Sequence, residues 1–91
     1  MRQRESGVSD DRSPVQHAIA MRRVDPDTNV ARFYVLTLER DLFGNVVVTR
    51  QWGRVGTAGR AITEPYPGEL EAANAMGAYA AAKRRRAYRD L

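Results

Sequence analysis

The sequence predicts an α+β fold: a small antiparallel β-sheet of about four strands with one C-terminal helix packed across a face. Two patterns predict it. Between positions 17 and 64, short segments rich in β-branched and aromatic residues alternate with turn residues. From Glu69 onward, alanine dominates and apolar residues recur at helical spacing. Strands followed by a terminal helix are typical of an α+β domain.

Four segments are predicted as strands: residues 17–24, 32–39, 46–52 and 60–64. The second has the clearest pattern, because its aromatic and β-branched residues alternate with period two. Gly44 and Asn45 stand where a hairpin turn requires positive φ. Pro65 and Pro67 are expected to end the fourth strand, since proline cannot donate to a ladder interior.

The C-terminal helix is predicted to begin at Glu69 and to run through the terminal arginines. Glu69 at its start and cations near its end both complement the helix dipole. Helical spacing places seven residues on its buried face: Leu70, Ala73, Met76, Gly77, Ala80, Ala87 and Tyr88. Small residues on that face should let the helix lie close to the sheet.

The first 16 residues are predicted to form a disordered tail, which leaves residues 17–91 as the folded domain. Polar and charged residues dominate the tail, and its apolar residues show no period. A chain of 91 residues corresponds to one small domain.

Composition excludes several classes of function. The chain has no cysteine, so disulfides, thiolate metal sites and cysteine nucleophiles are excluded. Its one histidine, His17, argues against a histidine metal site and against most histidine catalysis. No apolar run reaches the roughly 18 residues that span a bilayer, and no secretory signal is visible. These features predict a cytoplasmic protein without metal, cofactor, membrane or small-molecule substrate.

The positive charge is concentrated near the C-terminus. The chain carries 15 Lys and Arg against 11 Asp and Glu, a net charge of +4. Residues 83–90 alone account for that excess, and every cation except Lys83 is arginine. Arginine favours bidentate contacts with phosphate or carboxylate. The alternative is a solvated helix face, in which case the arginines bind nothing.

Residues 51–60 carry the most specific motif. Trp52, the chain's one tryptophan, precedes Gly53, Gly56 and Gly59, with Arg54 between them. Tryptophan offers a face that stacks on a sugar or base, arginine suits phosphate, and glycine permits tight turns. The pattern predicts a strand end and a tight turn that present Trp52 and Arg54 together. A tryptophan packed in the core is the alternative.

The segment Trp52-Gly53-Arg54-Val55-Gly56-Thr57-x-Gly59 resembles the signature of the WGR domain. The similarity continues upstream in Asn29-x-x-Arg32-Phe33-Tyr34-x-Leu36 and downstream to Lys83-Arg84-Arg85-Arg86-x-Tyr88. WGR domains occur in DNA-dependent poly(ADP-ribose) polymerases and in short stand-alone bacterial proteins. There the motif tryptophan packs on a terminal nucleotide, and the arginine organises contacts between DNA and neighbouring domains. The resemblance implies these roles for Trp52 and Arg54, and a bacterial cytoplasmic protein associated with the nucleoid.

Catalysis is not expected. No nucleophile accompanies His17, and the glycines lack the strand-to-helix context of a phosphate-binding loop. We therefore predict a non-enzymatic nucleic-acid-binding module, for DNA and for strand ends or nicks. A protein-interaction adaptor that uses the same surface is the alternative. The predicted nucleic-acid-binding residues are Arg50, Trp52, Gly53, Arg54, Lys83, Arg84, Arg85, Arg86 and Arg89.

Overall fold

A five-stranded antiparallel sheet with one helix across a face forms the domain. It is seen in a computed structural model, which describes residues 15–91. The elements are β1 (Val15–Asp25), β2 (Val30–Arg40), β3 (Val46–Arg54), β4 (Arg60–Tyr66), α1 (Glu69–Arg84) and β5 (Arg89–Asp90). The strand order is β4-β3-β2-β1-β5. The predicted α+β class is confirmed, with one short additional strand after the helix. Of the tail predicted for residues 1–16, residues 1–14 lie outside the described residues, whereas residues 15 and 16 belong to β1.

The core lies between the sheet and α1. On β2, Tyr34, Leu36 and Leu38 alternate with half-buried residues, as a strand covered on one face requires. Val46 and Val48 of β3 lie on the same side. The remaining buried members come from β1, α1 and the C-terminal segment: Met21, Ala72, Met76, Ala80 and Tyr88.

Two hairpin turns have well-defined hydrogen bonds. Between β2 and β3, Gly44 adopts the predicted positive φ of 83°. The Asp41 carboxylate accepts N–H bonds from Phe43 and Asn45, each at 2.9 Å. Between β1 and β2, a short 3-10 helix spans Pro26–Thr28, and Asn29 ends it at φ 56°. Short polar residues thus stabilise both turns, as the conformational preferences of Asp and Asn predict.

Strand β4 is longer than predicted: it continues through Pro65 to Tyr66. We expected Pro65 to end the strand, and that expectation is wrong. Within the described part of the chain, β4 forms the edge of the sheet and pairs with β3 alone. An edge strand tolerates proline, since an N–H that faces solvent is not needed for the ladder.

The buried face of α1 differs from the predicted one. Met76 and Ala80 are buried as predicted, but Ala72 is buried with them, Ala73 and Gly77 are exposed, and Leu70 is 70% exposed. Alanine is so frequent in this helix that the sequence pattern defines its apolar face poorly. The sheet decides the rotation instead, because α1 packs mainly over β2, β3 and β4. Within residues 15–91, no helix is both long and apolar enough to cross a membrane.

Helix α1 ends at Arg84, earlier than predicted. The Tyr88 N–H donates to the Lys83 carbonyl and the Ala87 N–H to the Arg84 carbonyl, each at 3.1 Å. Ala87 has a φ of 71°, so the arrangement is a Schellman motif with alanine in the place usually taken by glycine. This turn directs Tyr88 into the core, where its ring meets the Tyr34 ring edge-on at 6.3 Å.

Candidate nucleic-acid interface

The turn after Trp52 is held by its own backbone and side chains. We call residues 55–59, which join β3 to β4, the signature turn. The Val55 N–H donates to the Ala31 carbonyl at 2.9 Å, and both the N–H and the hydroxyl of Thr57 donate to the Arg54 carbonyl. The Gln51 side-chain amide donates to the Ala58 carbonyl at 2.7 Å. The direction in which β3 ends is therefore well determined.

Two glycines of the motif are required by close packing within the chain. A Cβ at Gly59 would overlap the Trp52 carbonyl and approach the Phe33 ring to 2.9 Å, and Gly59 has a φ of 71°. A Cβ at Gly53 would lie 2.7 Å from the Gly59 Cα. Gly53, a predicted binding residue, thus lies against the backbone of Gly59. Its place in the motif follows from this packing.

Trp52 lies at the border of the core. It is half-buried and packs against the hydrophobic cluster, directly opposite Tyr34 of β2. Alternation along β3 places Arg50, Trp52 and Arg54 on the face of the sheet that α1 covers. Because α1 leaves this end of β3 incompletely covered, part of the tryptophan side chain remains accessible.

A cavity of about 250 Å³ lies beside Trp52, between β3 and the last turns of α1. It is lined by Tyr34, Arg50, Trp52, Tyr79, Ala82 and Lys83. Three of the six are aromatic and two are cationic. The tertiary structure thus brings three predicted residues, Arg50, Trp52 and Lys83, to one concave site.

Arg50 is positioned at the base of this cavity by an aromatic ring and one acid. Its guanidinium carbon lies 4.5 Å from the Tyr79 ring centroid, and its Nη2 lies 3.6 Å from the Glu64 Oε1. The same oxygen accepts the Tyr79 hydroxyl at 3.1 Å. Burial, together with hydrogen bonds to Tyr66 and Glu64, raises the pKa of Tyr79 to about 12, so the hydroxyl stays protonated at neutral pH. Among residues 15–91, no acceptor lies within hydrogen-bond distance of the buried Arg50 Nε.

Lys83 closes the cavity from the helix side. Its Nζ lies 4.8 Å from the Tyr34 ring centroid and 5.1 Å from that of Tyr88, which are distances typical of cation–π contacts. Burial lowers the pKa of Lys83, and the nearby charges of Arg86, Arg32 and Arg50 lower it further. No carboxylate among residues 15–91 pairs with Lys83. A bound anion would relieve this repulsion between like charges.

Three exposed arginines extend the positive charge around Trp52. Arg54 lies opposite Arg32 of β2, and Arg60 of β4 lies opposite Trp52 itself. We refer to this set as the cationic face: Arg32, Arg50, Arg54, Arg60 and Lys83. The acids Asp25 and Asp27, in the β1–β2 turn, lie at the same end of the sheet.

Sequence reasoning did not identify four residues of this region as site residues: Arg32, Tyr34, Arg60 and Tyr79. Arg32 and Tyr34 already belong to the upstream part of the quoted motif, which was the available signal. Arg60 ends the motif segment 51–60, and the β3–β4 pairing brings it to Trp52. Tyr79 carried no signal, because only the rotation of α1 brings it to this site.

The remaining predicted cations have different surroundings. Arg84 forms a bidentate pair with Asp90, at 2.9 and 2.7 Å, and this pairing lowers the pKa of the Asp90 carboxyl. Arg85 and Arg86 are exposed just beyond α1. Arg89 lies in β5 opposite Arg22, on the face away from the helix. Since β5 is three strands from β3, about 14 Å at ordinary strand spacing, Arg89 is remote from Trp52.

Residues 15–91 contain no cluster of metal-ligating side chains. No three His, Cys, Asp or Glu side chains there lie where they could share a metal ion. Several acids of the described chain pair with arginine or accept hydrogen bonds in turns, among them Glu69, Asp90 and Asp41.

Comparison with known proteins identifies a family for this chain. The WGR domain family matches residues 17–91. The uncharacterized protein y4dW of Sinorhizobium fredii (strain NBRC 101917 / NGR234) is 33% identical over 85 residues, which cover 91% of this chain and 42% of that protein. The chain therefore spans less than half the length of this relative. No solved structure matches. With the family match covering most of its length, the chain belongs to the WGR domain family.

Proposed function

We propose that this chain is a non-enzymatic module that binds DNA through Trp52, Arg54 and the cationic face, with a preference for strand ends or nicks. The WGR domain is a nucleic-acid-binding module in poly(ADP-ribose) polymerase-like proteins and is by itself non-catalytic. The observation that carries the proposal is the cavity in which Arg50, Trp52 and Lys83 meet.

The size and lining of the cavity suit a phosphate with part of its sugar. At about 250 Å³ it is smaller than most sites for drug-sized ligands. Lys83 lies among like charges, and the guanidinium of Arg50 lines the same cavity. A phosphate would supply the compensating negative charge. The accessible part of Trp52 could then contact the adjoining sugar or base.

The preference for ends follows from the number of aromatic platforms. Trp52 is half-buried, and the other rings of the cavity, Tyr34 and Tyr79, are buried or half-buried. A single accessible ring gains most where a base pair is already unstacked on one side, because no intact stacking must be broken. Arg54, on the same face of β3, could contact the terminal phosphate there.

A protein-interaction adaptor is the second candidate. Leu42 and Phe43, at the tip of the β2–β3 hairpin, are 99% and 87% exposed, which is unusual for large apolar side chains. Trp52 and Arg54 are also residue types favoured as anchors in protein interfaces. Salt separates the two functions, since phosphate binding weakens steeply as salt rises and a mainly apolar protein interface does not.

The test is a titration of the purified chain against labelled duplexes of equal length. One duplex has open 5′-phosphorylated ends, and the other is closed by hairpins at both ends. We expect tighter binding to the open duplex, and a smaller difference for Trp52→Ala and Arg54→Ala. Arg22→Ala, an exposed arginine on the opposite face, is the matched control. Equal affinity for both duplexes would contradict end recognition, and no affinity for either would favour the adaptor.

A further inference from the structure

The outer edge of β4 is unpaired among the described residues, because β4 ends the strand order and pairs with β3 alone. Exposed edges of this kind are the usual places where a second chain adds to a sheet. We propose that β4 pairs antiparallel with β4 of a second copy, with Ile62 opposite its own counterpart. This inference concerns assembly and does not depend on the proposed nucleic-acid binding.

The backbone of β4 indicates which of its groups face outward. Pro65 lies opposite Val47 within the ladder and has no N–H, so its nitrogen suits a position facing the free edge. Alternation then directs the backbone groups of Ala61 and Thr63 outward as well. The hydroxyls of Thr63 and Thr49 are 2.8 Å apart, which fits the closely spaced type of pair that exchanges no backbone hydrogen bonds.

The proposed register pairs outward-facing residues with each other. With Ile62 opposite its counterpart, Ala61 lies opposite Thr63 of the second copy, and the reverse pair follows by symmetry. Each of these two pairs can exchange two N–H···O bonds. If the register shifted by one residue, backbone groups that face the free edge would lie opposite backbone groups that face β3. Pro65 lies beyond the four bonds and removes none of them.

The side chains of β4 are self-complementary in this register. Arg60 lies opposite Glu64 of the second copy, twice by symmetry, and opposite charges across strands are stabilising. Ile62, which is 43% exposed, meets its counterpart at the centre. One surface patch pairing with itself is the isologous arrangement of twofold dimers. Monomeric proteins often protect an edge with charge, but here the two signs are placed symmetrically about Ile62.

The surroundings of β4 leave room for the second copy. Both described contacts of Glu64 use its Oε1, and its Oε2 makes no hydrogen bond within residues 15–91. Both helices would lie on the same face of a ten-stranded sheet. Since α1 is spread over β2, β3 and β4, helix centres near β3 would be separated by about 14 Å, above the roughly 8–10 Å of packed helices.

Sedimentation velocity of the full chain tests the proposal, at concentrations from about 10 µM to about 1 mM, because so short an interface is expected to be weak. We expect the mean mass to rise toward two chains. Arg60→Glu sets Glu opposite Glu64, and Glu64→Lys sets Lys opposite Arg60, so each should raise the dissociation constant at least about tenfold. An equimolar mixture of the two variants restores both opposite-charge pairs, and we expect it to dimerise again.

Two further variants keep the test decisive. Ala61→Pro removes an outward donor and leaves all charges in place, so it should also abolish dimerisation, even if Glu64→Lys perturbs its contact with Arg50. Arg22→Glu makes the same charge change as Arg60→Glu on β1, away from β4, and should leave the dimer intact. A single-chain mass at every concentration overturns the proposal. Equal behaviour of Arg60→Glu and Arg22→Glu, or no recovery on mixing, overturns it as well.

Discussion

Strand β3 joins two turns that differ in nearly every physical respect. At its start, residues 41–45 form the tip of the β2–β3 hairpin, and at its end lies the signature turn. The hairpin tip is surrounded by solvent, with Leu42 and Phe43 almost fully exposed. The signature turn packs against Phe33 and its own glycines. One strand thus connects a loose apolar loop to a close-packed turn beside the cationic face.

The charges near the two turns also differ. Acids predominate around the hairpin tip: Glu39, Asp41, Glu69 and Glu71, with Arg40 bound to Glu69 at 2.6 Å. Hydrogen bonds from Asn45, above all, lower the pKa of the Asp41 carboxyl. Around Trp52, cations predominate, and the acid that contacts the cavity residues Arg50 and Tyr79 is Glu64. A polyanion would therefore approach the signature turn and avoid the hairpin tip.

A positive φ has different consequences at the hairpin tip and in the signature turn. Gly44 at the tip and Gly59 in the signature turn both have left-handed backbone, with φ of 83° and 71°. Nothing lies within 4 Å of a Cβ added to Gly44, whereas one added to Gly59 meets backbone and an aromatic ring. The first glycine provides only turn geometry, and the second also allows two chain segments to touch.

The largest expected effect is on stability. Gly59→Ala should lower the free energy of unfolding by about 3–5 kcal/mol, since it combines backbone strain with overlap against Trp52 and Phe33. Gly44→Ala, the matched control at the hairpin tip, should lower it by only about 1–2 kcal/mol. Urea denaturation followed by circular dichroism measures both. Similar losses for the two variants would show that packing adds nothing at Gly59.

The next effect is on binding. Trp52→Ala should weaken DNA binding by about 1–3 kcal/mol, the usual range for loss of base stacking. Phe43→Ala, at the opposite turn, should leave the affinity unchanged. Fluorescence anisotropy measures the affinities, and near-UV circular dichroism checks that each variant is folded. If Trp52→Ala unfolds the chain, the ring serves the core and the binding assignment is wrong.

A smaller effect distinguishes the cations near the C-terminus. Arg86→Gln should reduce the slope of log affinity against log salt by about 0.9, the value for one lost phosphate contact. Arg86 is close enough to Lys83 to lower its pKa, whereas Arg89 lies three strands from Trp52 on the opposite face. Arg89→Gln should therefore leave the slope unchanged. Equal slopes for the two variants and the wild type would assign Arg86 to the solvated surface.

The smallest effect concerns protonation of Lys83. The pKa of Lys83 is lowered from 10.5 in the folded chain. At pH values between the lowered pKa and 10.5, the unfolded chain therefore binds more protons than the folded chain. The contribution of Lys83 to the free energy of unfolding should accordingly rise with pH across that window. An NMR titration of the Lys83 side chain should show its pKa raised by bound DNA, since phosphate favours the charged form. No change on binding would place the phosphate elsewhere.

Much of this fold could be predicted because local patterns and tertiary packing agree. The alternation of Tyr34, Leu36 and Leu38 indicates both a strand and its buried face, and the structure confirms both. The start of α1 at Glu69 follows equally well, since Pro67 and Gly68 separate two regions of different periodicity. The local pattern and the packing disagree in α1, because alanine is frequent on every face of this helix. Leu70 was therefore predicted to face the core, and it is exposed.

The candidate site was predictable only in part. Trp52 and Arg54 could be named from the motif because their spacing places them on one side of a strand. The neighbours that complete the cavity could not be named with them. Tyr79 belongs to a helix whose rotation depends on the sheet, and Arg60 faces Trp52 through the β3–β4 register.

By itself, the sequence determined the α+β class, most of the strands, the start of the helix and the Trp-Gly-Arg motif, because these depend on patterns within a few residues. The tertiary structure alone decided that β5 pairs with β1, that α1 turns Ala72 to the sheet and leaves Leu70 exposed, and that Arg50, Trp52 and Lys83 meet around one cavity. Such features depend on register and helix rotation, which are set by packing between segments that are distant in the chain.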